Sequence, residues 1–130
     1  MDAERLKNIP LFAGLSRKER DQLARWADEV DVAPGTRLVD QGAFPHEFFV
    51  ISEGSAEVTV DGGHVADLGA GDFFGEIALL EEQRRTASVI TTSSLRAIVM
   101  HSRDFAAMAR SMPEVAARIR EEMARRADGR

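Results

Sequence analysis

The stretch SAEVTVDGG, residues 55–63, alternates with a period of two. Ala56, Val58 and Val60 face one way, and Glu57, Thr59 and Asp61 the other, as in a strand with one buried face. Asp61-Gly62 ends it, a dipeptide suited to the left-handed positions of a two-residue hairpin. Similar segments surround it. EFFVISEG reads as a buried strand that stops at Gly54, and HVADLG, TASVITTS and LRAIVMH are short and rich in β-branched residues. APGT at 33–36 suits a type II turn with Pro34 and Gly35 at its centre. Several short strands at close spacing predict a sandwich or barrel.

Both ends of the chain read as helix. A short helix is expected over residues 3–8, stopping at Pro10. Ser16 and Glu19 have capping-box spacing. Leu23, Trp26, Ala27 and Val30 follow at i, i+3, i+4 and i+7 on one helical face. After the strands, Ser102 is placed to cap a helix over 103–110, with Phe105 and Met108 inward. Ser111 and Glu114 form a second capping-box pair with Pro113 in the first turn. Val115, Ile119 and Met123 continue as a stripe. The expectation is a mainly β protein with flanking α-helices: N-terminal helices over 1–30, a jelly-roll barrel over 31–101 and C-terminal helices over 102–130, all one domain.

One domain is also what 130 residues allow. There is no cysteine, so disulfide and thiolate chemistry are excluded and a cytoplasmic home is expected. No leader-like or membrane-spanning apolar run is present. The net charge of −5 argues against nucleic acid as a direct partner.

One stretch breaks the strand pattern: FGEIALLEEQRRTASV, residues 74–89. Gly71 and Gly75 bracket a pair of phenylalanines. EIALL has helical propensity but room for only one or two turns, and such a helix points its first backbone N–H groups at an anion. Gly75 allows close approach of a ligand to the backbone. Arg85 offers a planar fork that matches phosphate. A carboxylate at Glu76 is tolerated by the helix dipole, and it would accept hydrogen bonds from hydroxyls beside the phosphate, as a ribose presents. The bland readings stand beside these: Arg85 in a salt bridge to Glu81, Glu82 or Asp72, and Glu76 as a simple helix-dipole carboxylate. Arg84 reads as a solvated rim residue.

The same stretch resembles the phosphate-binding cassette of cyclic nucleotide-binding domains, roughly F-G-E-[LIM]-A-L followed by R-[STA]-A-x-V. QG at 41–42, FFVISEG at 48–54 and GDFFGE at 71–76 resemble that family's glycine-marked strands. The resemblance covers about residues 5–125 and includes the regulatory domains of cyclic AMP-dependent kinase and the catabolite activator protein. It implies a short cassette helix after Gly75 and a ligand rather than a chain carboxylate as the partner of Arg85. Glu76 would bind the ribose 2′-hydroxyl. Gly75, Ile77 and Ala78 would lend backbone groups near the sugar and phosphate. Arg85 would pair with the cyclic phosphate, helped by the Thr86 hydroxyl and the Ala87 amide. The implied ligand is cyclic AMP, with cyclic GMP the alternative because a threonine after the phosphate arginine resembles cyclic GMP-selective members.

The rival readings have weaker support. A metal-binding cupin, another jelly roll, wants two histidines one residue apart. This chain offers His46 alone there, while His64 and His101 lack ligand spacing, so no metal is expected. No nucleophile elbow or Walker loop is present, so no enzyme is expected. A jelly roll that serves protein interaction and has lost its ligand is the alternative from another class. The resemblance further implies an output; since ARIREEMARRADGR is too little for a DNA reader, the expectation is a stand-alone sensor or regulatory domain acting through a separate protein partner or domain, with a receptor or reservoir for the nucleotide as the other reading. A homodimer is compatible with it. The C-terminal helices, joined by one connection and held by a narrow apolar stripe, are expected to be the moving part.

Overall fold

The structure is a computed structural model that describes residues 1–75 and 84–128, with the side chains of Met123 and of residues 126–128 outside that set. It opens with two 3-10 turns, Ala3–Asn8 and Pro10–Phe12, and the helix α1, Arg17–Trp26. The described strands are β1 (Asp28–Val32), β2 (Arg37–Val39), β3 (Glu47–Glu53), β4 (Ala56–Val60), β5 (Gly63–Leu68), β6 (Phe73–Phe74), β7 (Ser88–Thr91) and β8 (Leu95–His101). Helices α2 (Ser102–Ser111) and α3 (Pro113–Asp128) follow.

The strands form two antiparallel four-stranded sheets, ordered β1-β8-β3-β6 and β2-β7-β4-β5. The pleat of β3 explains how three layers are joined. Phe49 and Ile51 point into the space between the sheets, where they meet Val39, Ala56, Phe74, Val89, Leu95, Ala97 and Val99. Phe48 and Val50 point the other way, into a core shared with Phe73, Ile98 and Met100 of the same sheet and with the helices. A strand covered on both faces loses the polar alternation of a half-exposed one, and EFFVISE is the chain's example. Phe48 lies 4.8 Å from the Phe105 ring of α2, and Phe49 stacks at 4.8 Å on Phe74. This is the jelly roll with flanking helices that the sequence pattern predicts.

Local signals survive intact where they are self-contained. The Ser16 side chain accepts from the Glu19 N–H at 3.1 Å, and the Glu19 carboxylate from the Ser16 N–H at 2.9 Å. Those bonds hold the Glu19 carboxyl below its ordinary pKa. The 61–62 turn joins Val60 to Gly63, with both turn residues at positive φ (52° and 80°).

Three helix readings are corrected. Val30 is not on the face of α1: the helix ends at Trp26, Ala27 is extended, and Val30 lies on β1, 36% exposed. DEVDV alternates with period two as well as matching the helical spacing, and the free edge of β8 decides between them by pairing with it. Ser102 is the first helical residue of α2 rather than its cap, which is His101; its N–H donates to the His46 carbonyl at 2.8 Å. Ser111 is the last residue of α2, so it cannot cap α3; Met112 alone separates the two helices.

The C-terminal helices are also held more broadly than a narrow stripe. Phe105, Met108, Met112, Val115 and Ile119 are buried together with Leu6, Ile9, Leu11, Phe12, Leu15 and Leu23 from the N-terminal segment. Arg118 of α3 donates from Nη1 to the carbonyls of Leu11 (2.8 Å) and Ala13 (2.7 Å). The two ends of the chain thus form one helical layer against the first sheet.

Candidate functional site

Gly75 follows β6, which is fastened to β3 through Phe74 opposite Phe49 and Phe73 opposite Val50. The loop before it closes on itself: the Asp72 carboxylate accepts from the Gly69 N–H at 2.8 Å, and Ile51 exchanges backbone bonds with Gly71 and Asp72. Asp72 therefore serves this turn. The chain arrives at Gly75 in the left-handed region, φ +94°, which costs a residue with a side chain but suits glycine.

Arg85 is 7% exposed. Its backbone is zipped to the β2–β3 loop: Gly42 N–H donates to the Arg85 carbonyl at 2.8 Å, and the Arg85 N–H donates to Ala43 at 2.9 Å. This carries the side chain inward beneath Gly75. Nη1 donates to the Gly75 carbonyl at 2.8 Å and Nη2 to the Glu47 carbonyl. A guanidinium carries five N–H donors in a fixed fork, and these two carbonyls engage both of its terminal nitrogens. The result is a buried, oriented cation beside a glycine turn.

Arg84 behaves as the rim residue expected. It is exposed, lies over the Phe44 ring with 4.4 Å between guanidinium carbon and ring centroid, and reaches the Gly42 carbonyl at 3.3 Å. Thr86 is exposed and Ala87 half-buried, both on the approach to β7. The structure brings Gly75 and Arg85 together, with Thr86 and Ala87 adjoining in the chain. Glu76, Ile77 and Ala78 lie outside the described residues, as do Glu81 and Glu82.

Three contributors had no sequence signal. Glu47 acts through its backbone carbonyl, Phe44 as a loop aromatic under Arg84, and Ser88 as the acceptor for the Gln41 N–H at 2.9 Å. The histidines remain apart. His46 is an exposed turn residue, and His64 sits on the β4–β5 hairpin, 2.9 Å from Glu57 Oε2 and 3.5 Å from Asp67 Oδ2. Among the described residues, no group of three or more His, Cys, Asp or Glu is arranged to hold a metal ion, and no helix is long and apolar enough to cross a membrane.

The fold is thus a jelly roll with a buried arginine at a glycine turn and helices packed on one sheet. Comparison with known proteins gives its family. Residues 29–112 match the model of the cyclic nucleotide-binding domain, and the chain belongs to that family. A cAMP-dependent protein kinase regulatory subunit from Yarrowia lipolytica is 39% identical over 93 residues, covering 70% of this chain and 25% of that protein. The chain thus spans about a quarter of the length of such relatives. The regulatory domain of Toxoplasma gondii PKA, solved with cAMP, superposes with a TM-score of 0.81 at 26% identity, covering 95% of this chain and 48% of that one. The catabolite activator protein of Thermus thermophilus gives 0.79 at 29% identity, covering 92% and 59%. The chain is a cyclic nucleotide-binding domain, similar in sequence to part of those kinase regulatory subunits.

Proposed function

We propose that this domain binds cyclic AMP and transmits its occupancy to a partner protein or output domain, without catalysis of its own. The observation that carries the reading is Arg85: a buried guanidinium held in one orientation by the Gly75 and Glu47 carbonyls. A bidentate cation fixed in this way is pre-organised for a phosphate. In this reading the cyclic phosphate meets Arg85, the Thr86 hydroxyl and the Ala87 amide. Glu76 accepts from the ribose 2′-hydroxyl, and Gly75, Ile77 and Ala78 supply backbone groups around sugar and phosphate. Residues 1–130 act as a single domain, with α2 and α3 as the responsive layer. Cyclic AMP is favoured because the kinase relatives are named for it. No metal is required, and a cytoplasmic protein with a protein partner fits the same relatives.

Cyclic GMP is the second reading, favoured by Thr86, an exposed residue directly after the buried Arg85. Isothermal titration with cyclic AMP, cyclic GMP and 5′-AMP tests both. Saturable binding of cyclic AMP with weaker cyclic GMP is the expected result. A tenfold or greater preference for cyclic GMP would transfer the assignment to the second ligand. Absence of binding by all three would leave a jelly-roll interaction domain.

A further inference from the structure

We propose that Gln41 is a positioning residue for Arg85, acting as a clasp between the β4–β5 turn and the loop that holds the arginine backbone. The proposal rests on the reading that Arg85 receives the ligand's phosphate. Its grounds are a continuous run of hydrogen bonds across segments far apart in sequence.

At one end is Asp61, in the left-handed position of the hairpin turn. The Gln41 side chain engages it twice: Nε2 donates to Asp61 Oδ1 at 3.0 Å, and Oε1 accepts from the Asp61 N–H at 2.8 Å. The Gln41 N–H donates to Ser88 Oγ at 2.9 Å, three residues beyond Arg85 on β7. The next two residues, Gly42 and Ala43, make both backbone bonds to Arg85. The Arg85 fork then reaches Gly75 and Glu47. Gln41 thus touches the hairpin through its side chain, and its backbone leads directly into the pair that sets where Arg85 starts.

A primary amide suits this place because it donates and accepts at once. Asparagine is one methylene short of reaching across. Glutamate keeps the acceptor for the Asp61 N–H but sets a second carboxylate against the Asp61 carboxylate. Asparagine at position 61 tolerates the left-handed conformation and can either accept from Gln41 or donate to a glutamate there. The chemistry therefore supplies its own double-mutant cycle: Gln41→Glu disrupts, Asp61→Asn is silent, and the pair together restores the clasp.

The deciding measurement is amide hydrogen exchange on the nucleotide-free protein, so its outcome does not depend on which ligand binds. Gln41→Glu should accelerate exchange at Gly42 and Arg85 as well as at Asp61, with the β3 and β8 amides unchanged. Asp61→Asn should behave as the natural protein, and the double variant should recover its rates. Cyclic nucleotide affinity should fall about twofold to tenfold in Gln41→Glu, the range one net hydrogen bond supplies, and return in the double variant. Acceleration confined to Asp61, with Gly42 and Arg85 unmoved, would overturn the proposal and leave a simple surface staple. If the natural protein binds no cyclic nucleotide, the ligand reading falls, while the exchange pattern still decides the role of Gln41. If it binds and the Arg85 amide is indifferent to the Gln41→Glu change, the clasp falls and the ligand reading stands.

Discussion

Arg85 and Gly75 are interlocked: Nη1 of the arginine donates to the glycine carbonyl at 2.8 Å and lies 2.8 Å from where a Cβ on Gly75 would sit. The Glu47 carbonyl lies at the same 2.8 Å from that position. Neither residue's role is separable from the other's. The space a Gly75 side chain would need is taken by the guanidinium and the Glu47 carbonyl, and the guanidinium is oriented because the glycine presents its carbonyl.

Gly75→Ala should therefore act twice. The φ of +94° strains any residue with a side chain, by about 1–3 kcal/mol, and the new methyl displaces the arginine fork. Urea unfolding should show the stability loss, and titration should show weakened nucleotide binding beyond it. A variant with natural affinity would show that Arg85 does not need this arrangement.

Arg85 and Arg84 are adjacent in sequence and opposite in environment. Removing one partner of a buried charged pair costs about 2–5 kcal/mol, so Arg85→Ala should weaken binding by roughly 30-fold to several thousand-fold. Arg84→Ala loses an exposed contact with Phe44 and should change affinity far less. Equal losses would refute the assignment of the phosphate to Arg85.

The helical layer predicts where ligand binding is felt. Because Arg118 ties α3 to the Leu11 and Ala13 carbonyls, a shift of α2 and α3 cannot leave the N-terminal turns untouched. Hydrogen exchange with and without cyclic AMP should show changed protection over 102–125 together with 6–15, alongside 84–89. A ligand moves such an equilibrium only by binding one arrangement better. Protection limited to the cassette would make the domain a passive binder without a helical switch.

His64 should titrate above its ordinary value of 6.5, chiefly because Glu57 hydrogen-bonds its ring, with Asp67 adding to the effect. Its folded-state pKa is raised, so the stabilising contribution is full below the unfolded value and is lost as pH rises through the folded one. His64→Gln should thus lower the melting temperature at about pH 5 and leave it unchanged at about pH 9. The same shift at both values would show that the ring contributes packing and not charge.

What the sequence determined by itself was everything carried by near neighbours. The Ser16–Glu19 box, the Asp61-Gly62 turn, the alternation of β4 and the spacing of Gly75 and Arg85 each lie within a short segment, where backbone sterics and side-chain reach suffice. Tertiary structure decided the rest, where distant backbone had to be satisfied. Residues 28–32 became a strand because β8 offered an unpaired edge. The Ser102 N–H was met by the His46 carbonyl, and Ser102 entered the helix. The partners of the Arg85 fork include a main-chain carbonyl 38 residues away, and the Gln41 clasp closes over 20 residues. Backbone carbonyls carry no residue-specific signature, so their role as acceptors becomes visible only when the two sheets bring the loops together.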